Sequence, residues 1–277
     1  MDKISIKNIN ELKNIKKITM ITAYDFVSGY VVNNSQAEMI LIGDSLGTTA
    51  LGYDFTNKVK IDDIIRATQA VSRVGISKLL VSDMPYSSYE NSEEAFRNAS
   101  LLINSGADAV KLEGGIEKVE IIKNLVSNKI PVMGHIGITP QSIKRLKDYR
   151  VLGKKKVEIE EIYNDALAIE SAGVFSTVLE LVDGDLSKKI TNALSIPTIG
   201  IGAGDETDGQ VQVYNDLIGY SPYKLPKHAK TYDNLQVRAQ EAIDKFVSES
   251  PTAFDSSVSE IFLFTNIASR LIIIGIL

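Results

Sequence analysis

Short, continuous apolar runs punctuate this chain, and four of them end in an acid. They are MILIGD at Asp44, LLVSD at Asp83, AVKLE at Glu113 and STVLE at Glu180. A strand buried on both faces has no place for a charge, so each acid belongs where a strand leaves the core. If the strands are parallel and close into a barrel, all four acids converge on one mouth. Oxygen ligands converging in a water-poor cleft suit a hard divalent cation.

The runs recur with helical patterns between them. Residues 18–22, 38–43, 78–82, 108–113, 131–134, 175–180 and 197–201 read as buried strands, and an eighth is expected around Val211 to Leu217. Ile61, Ile64, Ile65 and Val71 repeat at helical spacing, as do Ile159, Ile162, Ala166 and Ile169, and Leu186, Ile190 and Leu194. Asn91 with Glu94 reads as a capping box, and Thr139-Pro140 as an N-cap followed by proline at the first helical position. Eight βα units without a linker or repeat, in 277 residues, predict a single (β/α)8 TIM barrel across 1–277. A doubly wound open sheet is the alternative. It would usually carry a nucleotide loop after the first strand, where this chain has Thr22-Ala23-Tyr24-Asp25.

The net charge of −5 argues against a nucleic-acid surface, which needs clustered Lys and Arg. Lys154 to Lys156 form one short basic run, but Glu158, Glu160 and Glu161 follow at once, as in a solvated helix start. With no cysteine, disulfide and thiolate chemistry are excluded. Residues 1–17 carry no secretory or transit pattern, so the cytoplasm is expected; Ile4, Ile6, Ile9 and Leu12 suggest a short helix capping the body. The end, 250–277, is atypical. Ile261 to Leu277 is strongly apolar, yet falls short of a membrane span and contains Asn266 and Arg270. It reads equally as a packed element, an oligomer contact or an end foreign to the fold.

Each motif has a bland reading beside its functional one. Asp44 and Ser45 in GDSLG cap a turn or meet a ligand that the flanking glycines admit; Asp83, at the same place on the next strand, favours a ligand. Lys111 and Glu113 share one face of their strand, as an ion pair or as a site where the lysine balances a substrate carboxylate or enolate. His135 ends a strand in the same ring and is expected to hydrogen-bond substrate, whereas His228 reads as ordinary surface. Glu180 lies among apolar residues, and desolvation there would suit it to proton transfer. Gly200 to Gly204 does not complete a dinucleotide fingerprint and is expected to let a ligand approach the backbone; Asp208, Tyr214 and Asp216 are weaker candidates.

Together GDSLG, SDMPY, KLEGG (Lys111 to Gly115), GHIGITPQ (Gly134 to Gln141), VLE at 178–180 and IGIGAGDETDGQ (Ile199 to Gln210) resemble the ketopantoate hydroxymethyltransferase family over about residues 18–232. The resemblance implies a Mg²⁺-binding (β/α)8 barrel, commonly a decamer. Its members transfer a one-carbon unit from 5,10-methylenetetrahydrofolate to 3-methyl-2-oxobutanoate, giving 2-dehydropantoate for pantothenate biosynthesis. By position it assigns Asp44, Asp83 and Glu113 to the metal, Asp44, Ser45, Asp83 and Lys111 to the oxo acid, and Glu180 to proton transfer. Three places depart from the family pattern: Leu181 to Gly184 after VLE, Tyr149 to Gly153, and the apolar end. A folate-independent metal aldolase or lyase, a Schiff-base aldolase through Lys111, and a barrel without turnover are the competing readings.

Overall fold

The computed structural model describes residues 3–143, 149–223, 225–226 and 229–253. His228 and the apolar segment 261–277 lie outside the described residues. So does the atypical end, except its first residues, which finish a helix.

In chain order the elements are α1 (Ile6–Glu11), β1 (Ile18–Thr22), α2 (Phe26–Asn33), β2 (Met39–Ile42), α3 (Leu46–Thr49), α4 (Ile61–Ser72), β3 (Leu79–Asp83), α5 (Ser92–Asn104), β4 (Ala109–Lys111) and α6 (Val119–Ser127). Then follow β5 (Val132–Gly137), α7 (Lys156–Ala172), β6 (Ser176–Glu180), α8 (Gly184–Ala193), β7 (Thr198–Ile201), β8 (Gly209–Gln212), α9 (Tyr214–Leu217) and α10 (Leu235–Ala253). The strands pair in sequence order, all parallel, and β8 returns to β1 to close a barrel.

Alternation along each strand divides the core into two layers. Met20, Met39, Leu41, Leu79, Val81, Met133, Val178 and Ile199 fill the barrel. Ile40, Ile42, Leu80, Val110, Val132 and Leu179 face the other way and pack under the helices. Both faces are therefore apolar, which is why the strands read as continuous runs. The N-terminal helix α1 closes the barrel floor: Ile9 is fully buried in the interior layer, with Ile4, Ile6 and Leu12 against it. Ser5 caps that helix by accepting from the Asn8 N–H.

Four details differ from expectation. The eighth strand is Gly209–Gln212, and Tyr214–Leu217 is a helical turn instead. Only Val211 of that strand is a buried apolar residue, so its signal was weak. Residues 202–208 join β7 to β8 with no helix, so one of the eight units lacks its α element. Pro140 starts a three-residue 3-10 turn, Pro140–Ser142, and Thr139 gives it no side-chain cap. Asn91 caps α5 by accepting from the Glu94 N–H at 2.9 Å, but Glu94 reaches back to the Glu90 N–H, leaving the box half formed. Lys154, Lys155 and Lys156 are exposed where α7 begins. Among the described residues no helix is long and apolar enough to cross a membrane.

Candidate functional site

The inward positions at the C-terminal ends of the strands are polar where the layers below are apolar. Asp83 and Lys111 are register partners on β3 and β4, and the Lys111 ammonium lies 2.9 Å from Asp83 Oδ1. Asp83 Oδ2 accepts from the Asp44 N–H at 3.2 Å, which ties the residue after Gly43 to the next strand. His135 projects from β5 between two acids. Its Nδ1 is 3.4 Å from Glu113 Oε1, and its Nε2 is 3.3 Å from Glu180 Oε2. Lys111 Nζ stands 3.3 Å from the same Nδ1. Ser45 meets the Tyr24 hydroxyl at 2.7 Å.

The structure thus brings Asp44, Ser45, Asp83, Lys111, Glu113, His135 and Glu180 to one end of the barrel. All but Ser45 and Glu180 are buried. They face a cavity of about 800 Å³, except Glu113, which borders a separate cavity of about 300 Å³ and reaches His135. Tyr53, Phe55, Tyr149 and Tyr223 supply aromatic surface to that cavity.

One ammonium does not neutralise this many buried acids. Burial pushes Asp83 up to about 7, with Lys111 pulling it down and Asp44 and Glu113 pushing it further up. Burial and then Glu113 raise Asp44. At Lys111, burial works against the charged form, but Asp83, Glu113 and Asp44 outweigh it and hold the ammonium above the ordinary lysine range. Burial and Lys111 likewise oppose a charged His135, yet Glu113 and Glu180 carry it to about 9. Two nearby carboxylates hold the second proton on that ring.

The donor set fits a hard cation. Buried Asp44 Oδ2 has no hydrogen-bond donor, Asp83 Oδ1 has only the ion pair with Lys111, and Glu113 Oε1 only the ion pair with His135. Oxygen acceptors in acidic surplus are what Mg²⁺ takes. Among the described residues, no three acids or histidines are arranged to hold an ion by themselves. Mg²⁺ does not require that, because it commonly binds one or two carboxylates and completes its shell with substrate oxygens and water.

The weaker candidates divide. Asp208 is at the opposite end, where it accepts from Lys13 Nζ at 2.7 Å and from the Thr198 N–H at 2.9 Å, a structural anchor for α1 and β7. Asp216 borders the cavity and Tyr214 does not. Gly202 and Gly204 adopt positive φ in the tight β7–β8 return, and of residues 199–208 only Ile201 borders the cavity. These glycines serve the turn, not ligand approach.

The departures at Tyr149 to Gly153 and Leu181 to Gly184 meet each other. Leu152 N–H donates to Leu181 O, and Asp183 N–H to Leu152 O, each at 2.8 Å. This bridge sets Tyr149 in the cavity wall and leaves Leu181 in the left-handed region, φ 48°, directly after Glu180. A non-glycine residue there is strained, a condition found most often near functional sites. Tyr24, Tyr89, Gln141 and Tyr149 joined the site without being singled out from sequence. Gln141 and Tyr149 did stand inside quoted motifs, but their roles depend on partners far along the chain.

A model of the family described as ketopantoate hydroxymethyltransferase matches residues 3–254. Proteins named 3-methyl-2-oxobutanoate hydroxymethyltransferase are similar over most of the chain. That of Saccharolobus solfataricus is 46% identical over 91% of this chain and 95% of its own. That of Thermosipho africanus is 46% identical over 89% and 93%. Among solved structures, 2,3-dimethylmalate lyase aligns with a TM-score of 0.60 at 14% identity, covering 95% of this chain and 94% of that one. Phosphonopyruvate hydrolase in complex with oxalate and Mg²⁺ aligns at 0.61 and 13%, covering 95% and 94%. Those two likenesses speak to the barrel alone. Identity near one half along almost the full length is stronger evidence, and by it this chain belongs to the ketopantoate hydroxymethyltransferase family.

Proposed function

We propose that this protein is a Mg²⁺-dependent 3-methyl-2-oxobutanoate hydroxymethyltransferase. It takes the one-carbon unit of 5,10-methylenetetrahydrofolate and forms 2-dehydropantoate, with one water consumed. The observation that carries the reading is the position of Glu180, on the cavity that also holds the Asp44–Asp83–Lys111 cluster. A proton acceptor and an acidic cation site around one space are what enolisation of a 2-oxo acid needs.

Asp44 and Asp83 would hold the Mg²⁺, with Glu113 reaching its water. When bound, Mg²⁺ draws electron density from the keto oxygen and so acidifies the neighbouring C–H. Lys111 balances the negative charge of the enolate in a site of low dielectric. Ser45, oriented by Tyr24, hydrogen-bonds the oxo acid. Glu180 takes the C3 proton, and His135 at 3.3 Å orients its carboxylate. The C3 carbon then bonds to the folate-borne methylene as one methylene–nitrogen bond breaks and its electron pair returns to the folate; water replaces the second folate nitrogen, which keeps the electron pair of its bond and takes a proton, leaving the hydroxymethyl group. The aromatic walls at Tyr53, Phe55, Tyr149 and Tyr223 offer stacking surface to the pterin.

A Schiff-base route is disfavoured, because neighbouring acids keep Lys111 protonated and a protonated amine is no nucleophile. We place the enzyme in the cytoplasm as a homo-oligomer, the decamer common in the family. Exposed Phe26, Val27, Tyr30 and Val31 on α2 support an assembled state, which light scattering tests.

The function is tested by isotope exchange at C3 of 3-methyl-2-oxobutanoate without folate. Exchange that requires Mg²⁺ and stops with EDTA is expected, and added methylenetetrahydrofolate should then yield product. Exchange unaffected by EDTA, together with borohydride trapping of substrate on the chain, would replace this reading with the imine route.

A further inference from the structure

Gln141 closes the GHIGITPQ motif and is buried beside the site without touching its cavity. Three of its groups are engaged, each with a different residue of the loops after β3 and β4. Its backbone N–H donates to Glu113 Oε2 at 3.1 Å. Its Nε2 donates to Met84 O, one residue past Asp83, at 3.0 Å. Its Oε1 accepts from the Tyr89 hydroxyl at 2.7 Å.

These contacts remove every choice of proton direction. A backbone carbonyl only accepts, so the amide nitrogen must face Met84 and the amide oxygen must face Tyr89. Tyr89 therefore spends its one proton on Gln141. Its oxygen in turn accepts from the Glu113 N–H at 3.3 Å. Nothing in this chain of bonds is left to donate to the Glu113 carboxylate except the Gln141 backbone, which takes Oε2. Oε1 takes no bond from this network and faces only His135 Nδ1, at 3.4 Å.

We propose that Gln141 is a positioning residue: by holding the Tyr89 proton and anchoring Oε2, it keeps Glu113 a pure acceptor, with Oε1 left to His135 and to the water of the cation. This inference rests on the Mg²⁺ reading above. Without the Gln141 amide, the Tyr89 hydroxyl would turn its proton to the nearest acid and compete with the cation.

The test is Mg²⁺ titration by calorimetry in the presence of 3-methyl-2-oxobutanoate and no folate, on wild type, Q141L, Y89F and Y89F/Q141L, with thermal melting of each. Loss of a supporting group of this kind weakens metal binding by about tenfold or more, and that is expected of Q141L. In the double variant the misdirected proton is gone, so affinity should return to near wild type. Its melting temperature should remain as low as that of Q141L, since both lose the Met84 contact. Recovery of affinity without recovery of stability separates positioning from mere packing. A Q141L protein that binds like wild type, or a double variant as weak as Q141L, overturns the inference alone. Y89F keeps the ring and should bind near wild type; a loss of about tenfold there overturns the inference even if Q141L does not fold. A wild-type protein that binds no Mg²⁺ overturns the functional reading and this inference with it.

Discussion

The Asp83 carboxylate and the Lys111 ammonium face each other across paired positions of neighbouring barrel strands, 2.9 Å apart and both buried. Lys111 is 3% exposed, and among the described residues no other Lys, Arg or His forms an ion pair with Asp83. Removing the carboxylate leaves a buried charge without its partner, which costs about 3 kcal/mol. D83A should therefore be less stable to urea and should lose Mg²⁺ and oxo-acid binding together. Unchanged metal dependence in D83A would remove Asp83 from the site.

Glu180 makes no ion pair with a lysine or arginine among the described residues, and its one charged neighbour is His135. Replacing it with glutamine keeps the shape and removes the proposed base. E180Q should lower turnover by about 10²- to 10⁴-fold while calorimetry finds oxo-acid affinity nearly intact. Equal loss of both would make Glu180 a structural residue.

Asp208 offers the contrasting case. It joins Lys13 to the start of β7 at the barrel floor, far along the strands from the cavity. D208A should cost about 3 kcal/mol of stability and lower the melting temperature, with turnover of the folded protein unchanged. A selective loss of turnover would move Asp208 into the functional site.

Arg150 holds Glu158, at the start of α7, at about 2, against its ordinary 4.5, and the Gly153 N–H adds to the effect. An acid depressed by folding stabilises the native state above its unfolded value, and that stabilisation fades as pH falls through the folded one. The gap in urea midpoint between wild type and E158Q should be full above about 4.5 and close toward 2. Because Glu158 secures the segment that carries Tyr149, E158Q should also raise KM for the folate at neutral pH.

Several features were legible because they follow from one-dimensional pattern. Runs such as MILI and LLVSD are apolar on both faces only if both faces are covered, and an acid at their end has one reasonable place to go. Lys111 and Glu113 share a face by alternation alone. The errors arose where pattern gives out. Gly209-Gln-Val-Gln is too polar to announce a strand, and β7 and β1 must supply its partners. The glycines of residues 200–204 signal unusual backbone, but a tight return and a ligand loop demand the same residue type. Thr139-Pro140 does begin a helical turn with proline first, but it is a 3-10 turn whose Gln141 bonds inward to Glu113 and Met84, which the local pattern does not record.

Residue order alone thus determined the barrel, the end at which its charges gather and the surplus of acid over base there. Each is a matter of periodicity and composition along strands of regular geometry. Only the folded chain decided that His135 stands between Glu113 and Glu180, that Asp208 serves the floor, and that Gln141 reaches Tyr89 from 52 positions away. Hydrogen bonds and ion pairs act over about 3 Å, and which groups come that close depends on strand register and loop path, which no local pattern records.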